Sequence, residues 1–447
     1  MLLSAPSCRT SIIFFSETVT VDRIFIMNQK AMLQFIHCAD IHIDSPFVGL
    51  RDTVPDDIFD VIRTATFRAF ENVISLAIDK AVDFILIAGD VFDSADRSLR
   101  AQLFFRDQLV RAAEAGISVF IAHGNHDPLN GWDVQLKLPE HIHRFGTDVE
   151  GFTYRKNGEV LAKIYGISYP NREVRENLVP RFPDPDPNLL TIGVLHCNVG
   201  GHPEHDNYAP CTLNDLLQRG YHYWALGHIH TRSVLHENPW IVYPGNTQSR
   251  HARESGPRGC FVVHVEAPDA INLEFIETDV VQWISAQIDA QPLTTMDDLE
   301  RAILKEIDRV RKTSRDRPLI LHLTLTGRSE LHPILQRPGV KTDLLEHFRN
   351  REMFEPFVWI NDIQLQTRPP VDLNQRRRVE DFIGDFLHAI DEIRQNPDPA
   401  QRLRQILMEA AHNIMLRQWV ESLSDDDLIE MLDHAEILGY DRLEEGD

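Results

Sequence analysis

From Leu33 onward, short apolar runs alternate with segments in which apolar residues recur at helical spacing. Val82–Ala88 is continuously apolar, as expected for a strand that is buried on both faces of a parallel sheet. Phe67, Phe70 and Ile74 recur at the spacing that predicts an amphipathic helix. Strands are predicted at Leu33–Cys38, Val82–Ala88, Ile117–Ala122, Leu189–Leu195, Tyr223–Leu226, Trp240–Tyr243 and Cys260–Val265. Strands interleaved with helices predict an α/β layered domain.

The regular alternation of apolar strands and helical segments changes after residue 267. An amphipathic helix is predicted over 299–310, and alternation of Leu321, Leu323 and Leu325 with polar residues predicts a half-buried strand. Beyond Pro369-Pro370 the periodicity is helical throughout. We therefore predict four segments. They are an N-terminal extension at 1–32, an α/β domain at 33–267, a small α+β domain at 268–370 and a C-terminal helical region at 371–447.

No function is assigned to residues 1–32, which we interpret as a loose extension or as the product of a start placed too early. No run of the chain approaches the ~20 apolar residues that a membrane span requires. The five cysteines are scattered and include no C-x-x-C pair, which fits a reducing cytoplasm and argues against a disulfide framework or a zinc ribbon.

The net charge of −23 bears on the partners of the chain. A free-standing DNA-binding protein usually carries basic charge, and the overall field of this chain repels a polyanion. A nucleic-acid substrate would therefore have to be captured by local positive charge, by metal ions or by a partner subunit. The alternative is an acidic surface that serves only solubility.

Polar clusters follow the predicted strands and share the same few residue types. In chain order they are Asp40-Ile41-His42, Gly89-Asp90-Val91-Phe92-Asp93, Gly124-Asn125-His126-Asp127, His196 and Gly227-His228-Ile229-His230. Functional groups in open α/β sheets gather outside the carboxyl ends of the strands, so these clusters are expected to converge. Carboxylates and imidazoles without thiolates suit Mn²⁺, Fe²⁺ or Zn²⁺. Two such ions can clamp the attacking and the leaving oxygen of a phosphoryl transfer.

The ordered series D-x-H, G-D-x-x-D, G-N-H-D, H and G-H-x-H resembles the calcineurin-like metallophosphoesterase superfamily over roughly residues 33–265. Any one of these motifs is weak alone, and their order and spacing together are specific. Further likeness points to DNA-repair exonucleases of the SbcD group, especially its YhaO-type relatives. It is carried by Phe35–Leu50, Gly166–Pro170 and Leu195–Leu226. The resemblance implies an α/β/β/α sandwich, with the 268–370 domain as a cap.

The resemblance also implies a role for each motif residue. Asp40, His42 and His230 would hold the first metal ion, Asn125, His196 and His228 the second, and Asp90 would bridge both. His126 would face the scissile phosphate as a general acid, and Asp127 would orient His126. The two ions would be Mn²⁺ first, with Fe²⁺, Zn²⁺ or Mg²⁺ as alternatives. One position departs from the related nucleases, because Asp93 stands where they often carry a second phosphate-facing histidine.

Other polar residues have competing interpretations. His37 and His123 are read as core or supporting histidines rather than as ligands, and His202 and His205 as a loop surface. Arg250, His251, Arg253 and Arg258 would either line a phosphate path or form a solvated basic patch.

Three functions remain open at the level of sequence. The first is a metal-dependent DNA nuclease that, by resemblance, works as a homodimer with a coiled-coil ABC-type ATPase. The second is a phosphoesterase for nucleotides or another phosphoester, because the motif does not fix the substrate. The third is a metal-bearing scaffold of a repair complex, which would have no need of His126.

Overall fold

The computed structural model describes residues 33–47, 50, 53–94, 97–131, 134, 136–201, 206–350 and 355–445. The predictions for residues 1–32 and for His202 and His205 lie outside these ranges. The chain divides into two compact units. Of the described residues, the first unit comprises 33–46, Arg63–Gln248 and Arg258–Asp279, and the second comprises those within Phe47–Ile62, Ser249–Pro257 and 280–445.

Two six-stranded sheets form the body of the first unit. Their strands are β1 (Leu33–Cys38), β2 (Phe84–Ala88), β3 (Ser118–Ala122), β4 (Ile142–Arg144), β5 (Glu150–Lys156), β6 (Glu159–Gly166), β7 (Leu190–His196), β8 (Tyr223–Gly227), β9 (Ser233–Glu237), β10 (Trp240–Tyr243), β11 (Gly259–Ala267) and β12 (Ala270–Glu277). One sheet has the order β12-β11-β1-β2-β3-β4, and the other has the order β5-β6-β7-β8-β10-β9. In the first sheet β1 to β4 run parallel, and in the second β6, β7, β8 and β10 do.

Three hydrophobic clusters show the layers of this unit. Phe35 and Phe84 of the first sheet pack with Ile192 and Tyr223 of the second, which places a core between the two sheets. The other face of the first sheet is covered by helices α1 (Asp56–Asp79) and α2 (Leu99–Glu114). The other face of the second sheet carries α3 (Leu213–Gln218) and the loops around Tyr169. The predicted α/β/β/α sandwich is therefore confirmed.

The first unit extends past the predicted boundary at residue 267. β12 pairs with β11 along eight positions, from Gly259 opposite Glu277 to Ala267 opposite Ala270. Residue 267 thus lies at the turn of a hairpin that completes the edge of the first sheet, and the unit continues to Asp279. Ile271, Leu273 and Phe275 alternate with polar residues along β12, so a boundary at residue 267 would separate this strand from the sheet that it joins.

The second unit contains a three-stranded parallel sheet of β13 (Gln282–Asp289), β14 (Leu319–Thr326) and β15 (Val358–Leu365). Helices α4 (Met296–Thr313), α5 (His332–Leu335) and α6 (Val340–Arg349) accompany this sheet. Thr295 and Asp298 form a reciprocal capping box that starts α4. Leu299, Ile303 and Ile307 of α4 pack on one face of the sheet.

The C-terminal region is helical, as predicted. Its helices are α7 (Leu373–Arg377), α8 (Phe382–Arg394), α9 (Pro399–Ala410), α10 (Ile414–Ser422) and α11 (Asp425–Glu445). Arg328, next to β14, pairs with Asp441 and with Glu444 of α11, the latter at 2.8 Å. Among the helices that the structure describes, none is long and apolar enough to cross a membrane.

Candidate metal centre

The predicted ligands meet at the carboxyl ends of parallel strands from both sheets of the first unit. They are Asp40, His42, Asp90, Asn125, His196, His228 and His230. The Asp40 N–H donates to the Gly89 carbonyl (3.1 Å) and the His42 N–H donates to the Asp90 carbonyl (3.0 Å), which ties the first two strand ends together. Asp40, His42 and Asp90 adopt φ values of 49°, 47° and 50°. Left-handed backbone at non-glycine residues costs on the order of 1–3 kcal/mol and persists where the surrounding structure imposes it, as at binding sites.

Asp40, His42 and His230 form the first cluster of donors, with one donor atom of each within 4.8 Å of the others. His42 Nε2 lies 3.2 Å from His230 Nε2. When two nitrogens bind the same ion at about 2.1 Å with an N–metal–N angle of about 90°, they lie about 3.0 Å apart. The observed separation of the two nitrogens therefore suits a shared metal ion. The geometry brings together the three residues that were predicted to hold the first ion.

Asn125, His196 and His228 form the second cluster. The Asn125 Oδ1 atom lies 3.0 Å from His196 Nε2 and 3.2 Å from His228 Nδ1. The remaining nitrogens face backbone carbonyls, with His196 Nδ1 at 2.9 Å from Ala88 O and His228 Nε2 at 2.8 Å from Asp206 O. Hydrogen bonds of this kind fix the tautomer and the ring orientation of a ligating histidine.

Asp90 lies between the two clusters. Its Oδ2 atom is 3.4 Å from His196 Nε2 and 3.9 Å from His42 Nε2. Its Oδ1 atom accepts a hydrogen bond of 2.9 Å from the His126 backbone N–H. One carboxylate oxygen therefore faces an imidazole from each predicted ligand set.

The charges of this site fit bound cations. Asp40 and Asp90 are each 1% exposed, and their charged partners of opposite sign are imidazoles. Burial lowers the pKa of His196, but the charge and hydrogen bond of Asp90, the charge of Asp40 and the Ala88 carbonyl together outweigh burial and raise that pKa to about 9. Burial raises the pKa of Asp90, but the charges of His196, His126 and His42 outweigh it and hold that pKa well below its usual range. Buried carboxylates require positive charge nearby, and divalent ions supply it when the imidazoles are neutral and ligating.

His126 and Asp93 flank the clusters. His126 Nδ1 lies 2.8 Å from the Asp93 carbonyl oxygen, and the His126 side chain is only partly buried, unlike most of the predicted ligands. The Asp93 carboxylate lies 3.1 Å from His42 Nδ1. Asp93 therefore places its carboxylate beside His42 Nδ1, while His42 Nε2 faces His230 in the first donor cluster. The residue that departs from the nuclease pattern thus supports the first donor cluster.

The prediction that Asp127 orients His126 is wrong. Asp127 is fully buried, and its carboxylate accepts hydrogen bonds from the Gly124 and Val91 backbone N–H groups at 2.8 and 2.9 Å. Its third partner is His123 Nδ1 at 2.8 Å. The turn that places Asn125 and His126 at the site directs the Asp127 carboxylate inward. Asp127 therefore stabilises the loop rather than touching the reacting groups.

Replacing Asp127 by alanine is expected to lower the free energy of unfolding by about 2–5 kcal/mol, because two buried N–H groups and an imidazole lose their acceptor. Urea denaturation in the presence of EDTA measures this effect without a contribution from metal binding. Asp148→Ala is the control, since the Asp148 side chain is 88% exposed in its ion pair with Arg181. Equal unfolding midpoints for the two variants would contradict the assignment.

Gly124 has no room for a side chain. A Cβ atom there would lie 2.4 Å from Asp90 Oδ1 and 2.7 Å from His196 Nε2. Gly124→Ala is therefore expected to displace ligands and to lower metal-dependent hydrolysis at least about tenfold. Gly193→Ala is the matched control, because its Cβ would instead meet the Trp224 ring at 2.3 Å, away from the ligands. Equal losses of metal affinity in both variants would contradict this steric account.

Several supporting residues were not singled out by the sequence. Tyr169 is fully buried and donates a hydrogen bond of 2.8 Å to the His196 carbonyl. The Arg97 guanidinium donates to the Asp127 and Pro128 carbonyls at 2.8 and 2.7 Å, which anchors the loop after Asn125. Tyr169 lies within Gly166–Pro170, one of the stretches that carry the family resemblance, so that resemblance could have drawn attention to it. No sequence feature pointed to Arg97.

The structure assigns different roles to the histidines and arginines for which the sequence allowed two interpretations. His37 is fully buried and lies 3.0 Å from the Tyr223 hydroxyl, so it is a core residue. Arg258 is buried and donates to the His230 carbonyl, which makes it a supporting residue of the centre. Arg250 is buried and contacts Glu254 at 3.4 Å in the second unit.

Two sheets with this donor set at their carboxyl ends define a calcineurin-like phosphoesterase, and the calcineurin-like phosphoesterase family matches residues 33–232. The middle domain of metallophosphoesterase YhaO matches residues 283–368. The metallophosphoesterase YhaO of Bacillus subtilis is 36% identical over 409 residues, which cover 91% of this chain and 97% of that protein. The chain therefore belongs to the YhaO family of metallophosphoesterases and is a metal-dependent phosphoester hydrolase.

More distant similarity is found to proteins named for DNA double-strand break repair. Mre11 of Sulfurisphaera tokodaii is 26% identical over 303 residues, covering 66% of this chain and 74% of that protein. Mre11 of Sulfolobus acidocaldarius is 22% identical over 376 residues, covering 80% of this chain and 91% of that protein. The likeness thus extends beyond the phosphoesterase domain.

Proposed function

We propose that this chain is a nuclease subunit that hydrolyses phosphodiester bonds of DNA by a two-metal mechanism, in DNA repair. The observation that carries the proposal is the position of Asp90, whose carboxylate faces His42 of one donor cluster and His196 of the other. Asp40, His42 and His230 would hold one ion, and Asn125, His196 and His228 the other. The mixture of oxygen and nitrogen donors suits Mn²⁺, with Fe²⁺, Zn²⁺ or Mg²⁺ as alternatives.

When bound, two divalent ions supply an activated water and neutralise charge on the phosphate. The residues of the chain position these components and handle protons. The Asp93 carboxylate lies beside His42 Nδ1, and backbone carbonyls orient His196 and His228. Because His126 Nδ1 faces the Asp93 carbonyl, the neutral ring carries its proton there, and Nε2 is directed to the substrate. In the protonated imidazole, Nε2–H would stabilise the developing charge and protonate the leaving oxygen.

DNA is the proposed substrate on two grounds. The Mre11 proteins to which the chain is similar are named for DNA double-strand break repair. The chain also carries a second unit and a helical region, which a hydrolase of small phosphoesters has little need of. The net charge of −23 means that affinity for DNA would come from local cationic sites, from the metal ions and from a partner.

The proposed assembly follows from the family resemblance. It is a homodimer that works with a coiled-coil ABC-type ATPase, with the C-terminal helices as the docking region. Exposed apolar side chains on α10 support that role, since Ile414 and Met415 are 75% and 82% exposed. Light scattering of the purified chain would report the dimer, and a monomer at micromolar concentration would remove that part of the proposal.

One assay panel tests the activity. Purified protein, with and without Mn²⁺, would receive bis(p-nitrophenyl) phosphate, nucleotides, and end-labelled single- and double-stranded DNA. We expect Mn²⁺-dependent hydrolysis of the phosphodiester and of DNA. Hydrolysis of nucleotides without any cleavage of DNA, even when the ATPase is added, would replace this proposal by a nucleotide phosphoesterase. Absence of hydrolysis on every substrate would favour a scaffold.

A further inference from the structure

The three-stranded sheet of the second unit has two unlike faces. One face packs against α4 through residues such as Leu321 and Ile360. Trp283 of β13, Ile320 of β14 and Trp359 of β15 are register partners and share the opposite face. Further along this face His322 is only partly buried, and Asn361 lies at the irregularity where the pairing of β14 and β15 shifts. The second face therefore changes from an aromatic end to an accessible polar end.

A cavity of about 280 Å³ opens on this face. It is lined by His251, Ala252, Arg253, Trp283, His322 and Asn361. Trp283 is 2% exposed and forms an aromatic floor, with its ring centroid 5.5 Å from that of His322. The volume lies just below the ~300–1,000 Å³ of typical small-molecule pockets. This volume suits a single planar ring system.

The polar lining offers hydrogen bonds in a fixed arrangement. Asn361 Nδ2 lies 2.9 Å from His322 Nε2. Burial lowers the pKa of His322, so its imidazole is neutral at pH 7 and Nε2 accepts from the amide. Within the described chain the Asn361 side chain has no other hydrogen bond, so its carbonyl oxygen and second N–H stand side by side. An amide that presents one acceptor and one donor matches the edge of a nucleobase, as asparagine does with adenine.

The lining is also positive. Arg253 is exposed, and among the residues that the structure describes it has no ion-pair partner. The described residues that line the cavity include no carboxylate, and Glu254 lies 3.4 Å from His251 of the lining. In a chain of net charge −23, the Arg253 guanidinium beside an aromatic floor forms a local site for a base and its phosphate.

We propose that this cavity binds one unpaired base of a single-stranded DNA segment, with Asn361 on the base edge and Arg253 on the adjacent phosphate. The proposal rests on the proposed function, because it assigns a subsite to the same substrate. It gives the second unit a defined task, which is to hold an unpaired strand.

The test measures binding of a labelled single-stranded oligonucleotide by fluorescence anisotropy, with EDTA present to prevent hydrolysis. Asn361→Ala and Arg253→Glu are each expected to weaken binding about tenfold, the effect of losing a bidentate base contact or a phosphate contact. An oligomer in which every nucleotide is abasic distinguishes the base contact from the phosphate contact, because it keeps the phosphates and lacks the bases. Asn361→Ala should bind it as wild type does, whereas Arg253→Glu should still bind it more weakly.

Matched controls lie in the same unit. Gln364→Ala changes an exposed amide of β15, and Arg337→Glu reverses an exposed charge next to α5. Both should bind like wild type, and all four variants should hydrolyse bis(p-nitrophenyl) phosphate at the wild-type rate. Wild-type binding in Asn361→Ala and Arg253→Glu would overturn the subsite and leave the nuclease proposal standing. If wild-type protein hydrolyses the small diester but neither binds nor cleaves DNA, even when the ATPase is added, both proposals fail.

Discussion

Asp90→Asn should lose metal-dependent hydrolysis of bis(p-nitrophenyl) phosphate by more than about a hundredfold. Removing a partner that only orients a metal ligand costs about 10–100-fold, and a ligand that bridged two ions would contribute directly to both. The change keeps the shape of the side chain and removes the charge that lies between His42 and His196. The rate would be measured over a Mn²⁺ titration, so that weakened binding is separated from a slower reaction.

Thermal unfolding supplies the second readout for this variant. An ion present at a hundred times its dissociation constant stabilises the folded chain by about 2.7 kcal/mol, and Asp90→Asn should lose most of that gain. Asp79→Asn, an exposed carboxylate of α1, should retain both the rate and the stabilisation. A wild-type response to Mn²⁺ in Asp90→Asn would mean that Asp90 bridges nothing.

The second large effect is expected for His126→Ala. Loss of a general acid should lower the rate of DNA cleavage by about 10²–10⁴-fold, while Mn²⁺ still raises the unfolding temperature as in wild type. The partly buried side chain and the hydrogen bond from Nδ1 to the Asp93 carbonyl support a substrate-facing role. The donors His42, Asp93 and His126 also lie within 4.8 Å of one another, so loss of Mn²⁺ stabilisation would instead identify His126 as a ligand.

The leaving group distinguishes the role of His126 further. p-Nitrophenolate departs without a proton, whereas the alcohol released from DNA requires one. The loss should therefore be much smaller on bis(p-nitrophenyl) phosphate than on DNA. An equal loss on both substrates would assign His126 to charge stabilisation alone, and unchanged rates on both would refute its catalytic role.

The strands that the sequence predicted differ physically from most of those it missed. β1, β2, β3, β7 and β8 are internal strands whose residues are almost all buried, so their apolar runs are continuous. Five strands of the two sheets were missed: β4, β5, β9 and β12 are the four edges, and β6 is internal. In β5, with the sequence EGFTYRK, no residue is fully buried. Edge strands mix polar and half-exposed residues, so the apolar pattern does not reveal them.

The donor residues of the site were predictable because parallel strands deliver their carboxyl ends to one edge. That rule brought Asp40, Asp90 and Asn125 together from positions far apart in the chain. The direction of individual side chains was not predictable. Asp127 follows His126 in the sequence, yet its carboxylate bonds to Gly124, Val91 and His123. Asp93 reaches His42 because the segment after β2 lies beside the segment after β1. Such contacts depend on the path of the loops.

The proposed mechanism depends on a carboxylate of Asp90 that joins two metal ions. Crystals grown with Mn²⁺ and measured near the manganese absorption edge would locate every ion directly. We expect two anomalous peaks about 3.5–4 Å apart, with the Asp90 carboxylate between them and His42 and His196 on opposite ions. A single peak, or two peaks with the Asp90 carboxylate turned away from one of them, would contradict the mechanism.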